Sequence, residues 1–245
     1  MDEQLEQMLK YLGLRQLLAN WDHYITLTKK SNFSSVRLLK YIIEQEYKTK
    51  QENARKRRIS MAKIPEPYEI ETFPFKRQPR LNRKNILTLY DSFDYMAKQQ
   101  NIIWIGPTGT GKTGLATSFL TNAINSGYRG RFILFPELVE TLYQSLADQT
   151  QKKVLKTFAS FDCLIIDEVG LIEVDPVQVG LFFTLMHERH KKKTTLITSN
   201  LGFDQWGTFL KNTQLTAALI DRLTENSHVF NMKGCKSLRT RLDKQ

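Results

Sequence analysis

The chain has 245 residues, enough for one α/β domain with a full core and a smaller unit beside it. Its net charge of +11 and sequence pI of about 9.6 point to a polyanionic partner, nucleic acid before an anionic membrane. No apolar run reaches bilayer length, the first residues lack the pattern of a signal peptide, and two cysteines give neither a disulfide framework nor metal spacing, so a reducing cytoplasm is expected.

Residues 1–62 read as a small all-helical domain. Leu5, Met8, Leu9 and Leu12 follow the i, i+3, i+4, i+7 rule, and Leu17, Leu18 and Trp21 continue an apolar face. Ser31 to Ser35 is a polar break, and a second helix begins near Ser34 or Ser35 and runs into a basic end. Between Lys48 and Lys84 twelve Lys/Arg stand against four Asp/Glu, an excess that a uniformly solvated surface does not require. Lys48, Lys50, Arg55, Lys56, Arg57 and Arg58 are therefore candidates for duplex phosphates, with a solvated helix face as the other reading. Residues 63–80 form a linker with four of the seven prolines (Pro65, Pro67, Pro74 and Pro79), expected to be extended, with Phe73 and Phe75 available to pin it.

From residue 81 to 245 apolar strands alternate with helices, which predicts a mostly parallel sheet between helices. Helices are expected over 85–99, 113–126, 136–145, 151–159, 176–189 and 215–223. Strands are expected over 102–105, 131–135, 163–166, 194–198 and 228–231. Lys152, Lys153 and Lys156 give the helix over 151–159 a basic face, a second candidate for DNA. Lys191 to Lys193 fit a helix C-terminus, Trp206 an anchored loop, and the four histidines show no ligand spacing.

The chemistry concentrates in three strand ends. Gly106-Pro107-Thr108-Gly109-Thr110-Gly111-Lys112-Thr113 is a P-loop between an apolar strand and a helix. Glycine lets the backbone turn its N–H groups toward a triphosphate, Lys112 reaches the β- and γ-phosphates, and the Thr113 hydroxyl holds Mg²⁺. Asp167 and Glu168 end the strand over 163–166. Asp167 faces the metal and Glu168 polarises a water for in-line attack. At the end of the strand over 194–198, Thr198-Ser199-Asn200 offers a hydroxyl or amide to orient that water. Arg222 has two readings: pairing with Asp221 or a neighbouring acid, or an arginine finger.

These stretches resemble one family. GPTGTGKTGLA (106–116), LIIDEVG (164–170), TTLITSNLGFDQW (194–206), LTAALIDRLTENSHVF (215–230) and the ending at Ser237-Leu238-Arg239 are similar to the ATPase domain of the IstB-like transposition helpers of the AAA+ superfamily, relatives of the DnaC-like helicase loaders. The N-terminal part, with Ala54-Arg55-Lys56-Arg57-Arg58, Ile64-Pro65 and Phe73-Pro74-Phe75, is similar to that family's helper domain. The resemblance implies an AAA+ core, ATP and Mg²⁺, Asn200 as sensor 1, Arg222 as a finger supplied in trans, and Arg239 as a sensor 2 candidate. Leu238 stands where the family pattern has tyrosine, and Gly170-Leu171-Ile172-Glu173 where it has Gly-Tyr-Leu-Pro. The residues after the last expected strand leave no room for a full C-terminal lid, so a neighbouring subunit is expected to cover the nucleotide.

The function so implied is an ATP-dependent homo-oligomer on duplex DNA that helps a cognate transposase engage its target, with release on hydrolysis. The alternative is a helicase loader acting on single-stranded DNA. A small-molecule P-loop kinase would need no basic N-terminal domain. A module that holds ATP without turnover would need neither Glu168 nor Asn200.

Overall fold

The computed structural model describes residues 1–29 and 33–239, so Ser31 of the expected polar break lies outside it, as do residues 240–245. The chain divides into two compact units, Met1–Arg57 and Arg58–Gln245.

In the first unit α1 (Glu3–Leu12) starts where the Asp2 carboxylate accepts from the Leu5 N–H at 2.7 Å, and ends at Gly13 in the left-handed region, φ 66°. The short α2 (Arg15–Ala19) and α3 (Trp21–Thr28) follow, then the 28-residue α4 (Ser35–Ala62), whose last residues belong to the second unit. The buried Glu46 on α4 accepts from the Leu17 N–H at 2.8 Å, satisfying the first turn of α2.

The second unit carries one sheet of five parallel strands in the order β2-β3-β4-β1-β5. They are β1 (Asn101–Ile105), β2 (Gly130–Leu134), β3 (Cys163–Val169), β4 (Thr194–Ser199) and β5 (Ser227–Asn231). The helices are α5 (Arg83–Ser92), α6 (Asp94–Ala97), α7 (Lys112–Asn125), α8 (Phe135–Ala147), α9 (Gln151–Ser160), α10 (Pro176–Arg189), α11 (Phe203–Phe209) and α12 (Thr213–Thr224). The period-2 alternation of strands sorts the core into two layers. Ile103, Ile105, Leu164, Ile166 and Ile197 pack with α8, α10 and α12. Ile102, Trp104, Cys163, Ile165 and Leu196 pack with α5 and α7. Both faces are covered, which is why these strands read as continuous apolar runs.

Three expectations change in detail. The helix over 85–99 is two helices, because Phe93 at φ 59° breaks it between α5 and α6. Trp206 lies on α11 and is fully buried, not in a loop. Residues 63–80 form two 3-10 turns, Ile70–Thr72 and Phe75–Arg77, and join the second unit, with Ile70 and Phe73 in its core. Phe73 packs edge-on against Phe75 with ring centroids 4.7 Å apart. Among the described residues no helix follows β5.

Candidate functional site

β3, β4 and β1 are neighbours in the centre of the sheet, so the three motifs meet at the C-terminal ends of these strands, the usual place for a ligand in a parallel fold. They bound a cleft of ≈ 570 Å³ lined by Thr108, Gly109, Gly111, Lys112, Thr113, Glu168, Thr198 and Asn200, and closed by Tyr68, Arg77, Leu238 and Arg239.

After Ile105 the chain turns through the glycine-rich loop. Gly109 (φ 82°) and Gly111 (φ 97°) occupy the left-handed region, where a side chain is strained. At Gly111 a Cβ would also meet the Phe73 ring at 2.6 Å. Lys112 opens α7 and is buried. Its ammonium donates to the carbonyls of Gly106 (2.7 Å) and Pro107 (2.8 Å) and to Asn200 Oδ1 (2.8 Å). Burial lowers its pKa to about 8, against the raising effect of Asp167 and Glu168. The Asn200 amide is thus held on the P-loop lysine at the mouth of the cleft.

β3 and β4 pair regularly up to Ile166↔Ile197 and resume at Val169↔Ser199, with one extra residue on β3. This bulge carries Asp167 and Glu168, and Glu168 sits at φ 63°, an uncommon conformation for a non-glycine residue. The Thr113 hydroxyl lies 3.0 and 3.1 Å from the two Asp167 oxygens. Burial raises the Asp167 pKa, while hydrogen bonds from Thr198 and Thr113 oppose the shift. The Thr198 hydroxyl donates to Asp167 and accepts from the Glu168 N–H at 3.0 Å. One threonine therefore sets both acids. Its sequence signal was only a hydroxyl two residues before Asn200. Tyr68, whose ring covers Gly114 from the proline-rich stretch, gave no local signal at all.

The donor set fits a magnesium nucleotide. Thr113 and Asp167 offer a hydroxyl and a carboxylate oxygen to a hard cation, and the loop, Lys112 and Arg239 offer donors and positive charge to phosphate. Arg222 does not line this cleft. It sits on α12 with its guanidinium carbon 4.9 Å from the Phe183 ring centroid and donates to the Ala218 carbonyl at 3.1 Å. Its own carbonyl meets His190 Nδ1 at 3.0 Å, and His190 Nε2 lies 3.1 Å from Glu225.

Among the basic candidates on α4, Lys48, Lys50, Lys56 and Arg57 are exposed. Arg55 bonds Glu52 at 2.8 Å, and Arg58 donates to the Ile124 carbonyl at 3.3 Å. Lys152, Lys153 and Lys156 lie exposed on α9, away from its buried Leu155 and Phe158. Lys191 and Lys193 pair with Glu225 and Asp162 rather than with helix-end carbonyls.

Comparison with known proteins agrees with this geometry. A family model described as IstB-like ATP binding protein matches residues 7–245. The ATP-binding protein described for insertion sequence IS5376 of Geobacillus stearothermophilus is 31% identical over 96% of this chain and 93% of its own length. That of IS232 of Bacillus thuringiensis subsp. berliner is 29% identical over 95% and 92%. Among solved structures, the DnaC helicase loader superposes with a TM-score of 0.54 at 21% identity over 70% of this chain and 97% of that one. AMPPCP-bound DnaA from Aquifex aeolicus gives 0.53 at 19% over 67% and 49%. The chain thus shares the fold of the DnaC and DnaA structures, and with the family model matching residues 7–245 it belongs to the IstB-like ATP-binding protein family.

Proposed function

We propose that the chain is a Mg²⁺-dependent AAA+ ATPase that assembles on duplex DNA as a homo-oligomer and helps the transposase of an insertion sequence engage its target. The observation that carries this reading is the convergence of Lys112, Thr113, Glu168 and Asn200 on one cleft, with Asp167 bonded to Thr113 at its base. The insertion-sequence association of the relatives supplies the biological setting.

Each residue has a part. Lys112 neutralises the terminal phosphates. Thr113 and Asp167 would hold Mg²⁺, which when bound would offset the negative charge of the phosphates. Glu168 takes the proton of the attacking water, and Asn200, held by Lys112, orients that water. Arg222 of one subunit completes the site of its neighbour, since its own cleft is lined without it. Arg239 reads the bound nucleotide. ATP clamps subunits together on DNA, and hydrolysis releases them. The basic residues of α4 (Lys48, Lys50, Arg55, Lys56, Arg57 and Arg58) and of α9 (Lys152, Lys153 and Lys156) hold the phosphate backbone with little sequence preference. No described helix is long and apolar enough to cross a membrane, and the chain works in the cytoplasm.

The test is sizing and negative-stain microscopy with ATP and duplex DNA, beside Glu168→Gln. Large assemblies that need both ligands and persist in the variant support the proposal. A monomer that binds ATP and ignores duplex overturns it. Selective assembly on single strands turns the reading to a helicase loader.

A further inference from the structure

We infer that Gln78 is a positioning residue that ties the phosphate-binding loop to the segment carrying Arg239, and so sets how strongly the cleft prefers a nucleoside triphosphate to a diphosphate. The inference rests on the nucleotide-binding reading and deepens it.

Gln78 follows the 3-10 turn Phe75–Arg77, and its side chain is buried, at 1% exposure. Both its amide nitrogen and its amide oxygen are engaged. The nitrogen donates to the Thr110 carbonyl at 3.2 Å and to the Lys236 carbonyl at 2.6 Å, while the oxygen accepts from the Lys236 N–H at 3.1 Å. Three stretches far apart in sequence therefore meet on one primary amide. A second tie lies beside it, where the Leu238 N–H donates to the Gly109 carbonyl at 2.8 Å.

Peptide planarity gives these ties a directional effect. In a trans peptide unit the C=O and N–H point opposite ways. Holding the Gly109 carbonyl toward Leu238 aims the Thr110 N–H away from that segment. Holding the Thr110 carbonyl toward Gln78 does the same for the Gly111 N–H. Those are the groups a phosphate-binding loop must present. The same ties place Arg239 one residue beyond Leu238, lining the cleft together with Lys112. Two like charges held near one cleft favour the ligand with the most negative charge between them. The spacing of those charges depends on residues 236–238 keeping their register on the loop, which is what Gln78 enforces.

Equilibrium binding of ATP and of ADP to the full chain tests this, in wild type, Gln78→Glu, Arg239→Ala and the double variant. The glutamate keeps the shape and the acceptor but faces two carbonyls without a donor. ATP affinity is expected to fall about tenfold, the scale of one unpaired buried polar group, with ADP affinity changed less than about twofold. Arg239→Ala should add little on top of Gln78→Glu, because both act through the same placement. Leu238→Pro, which removes the second tie at a half-buried position, should lower the ATP preference in the same direction, whatever Gln78→Glu does to folding. Equal loss of ATP and ADP affinity in Gln78→Glu, or full additivity with Arg239→Ala, would reduce Gln78 to a packing role and overturn the inference. A wild-type chain that binds neither nucleotide would instead remove the reading beneath it.

Discussion

Lys112 shows how a single residue carries a measurable signature. Its ammonium is buried on carbonyl oxygens, and its pKa is lowered to about 8 from the ordinary lysine value. A triphosphate favours the charged form, so ATP binding must raise that pKa and draw a proton from buffer. The sign follows: affinity is fully present below about pH 8 and falls as pH rises through it. Calorimetry at pH 8.5 in buffers of different ionisation enthalpy should show proton uptake on ATP binding, and identical heats in all buffers would refute it. Thr198 makes a second case. Removing its hydroxyl in Thr198→Val frees Asp167 and the Glu168 N–H together. The turnover number for hydrolysis should drop about thirtyfold with KM for ATP within about threefold, as for loss of a group that orients reacting atoms. A change confined to KM would mean that Thr198 serves binding alone. Lys112, Thr113 and the acid pair were legible in the sequence because each follows its motif locally. Thr198, Gln78 and Tyr68 were not, because their roles depend on pairings across the sheet or on residues tens to more than a hundred positions away.

At the scale of elements, the strands and long helices were legible from apolar periodicity, with α10 recovered at both ends. α11 was missed because Gly202 and Gly207 bracket Trp206 in the manner of a loop. Tertiary burial of the indole, not propensity, makes that helix. Arg189 was silent for a related reason. It is fully buried at the end of α10, where it donates to the carbonyls of Phe158, Phe161 and Thr194, so a charge that reads as surface holds α9, α10 and β4 together. Where α10 faces α12, Phe183 presents its ring to Arg222. Phe183→Ala should leave nucleotide affinity unchanged and lower assembly-dependent hydrolysis about tenfold, the worth of a partly desolvated cation–π contact. Hydrolysis at the wild-type rate would show that Phe183 does not position Arg222.

For the whole molecule, charge is the property that sequence and structure share least. The sequence counts six basic residues from Lys48 to Arg58 as equals, whereas the structure engages Arg55 with Glu52 and Arg58 with the end of α7. Lys48, Lys50, Lys56 and Arg57 are exposed, with Lys56 4.0 Å from Glu52, and are the better candidates for phosphate. Replacing these four by alanine should weaken duplex binding and reduce the slope of log affinity against log salt by about 0.9 for each phosphate left without its cation. The same four changes with an unaltered slope would move the DNA surface to α9 or elsewhere. The two units themselves announce their class plainly, the first through helical periodicity and the second through strand–helix alternation. Their division inside α4 does not show in the sequence, since nothing in Ala54 to Ile59 interrupts the helix.

The strand order β2-β3-β4-β1-β5 also dictates when the site can exist during synthesis. β1 leads into the glycine-rich loop and β3 ends in the acid pair, yet they are not neighbours, and β4 lies between them. A nascent chain that has emerged through α10 already contains the glycine-rich loop, Asp167 and Glu168, but lacks the strand that lies between β1 and β3 and the Thr198 hydroxyl that bonds Asp167. Residues 194–199 bring the two halves together, and residues 236–238 set the loop only later still. Domains emerge and fold in order of synthesis. Capacity for nucleotide therefore arrives only after β4 has emerged, and a ribosome-bound fragment stalled before β4 is expected to hold both motifs and bind nothing.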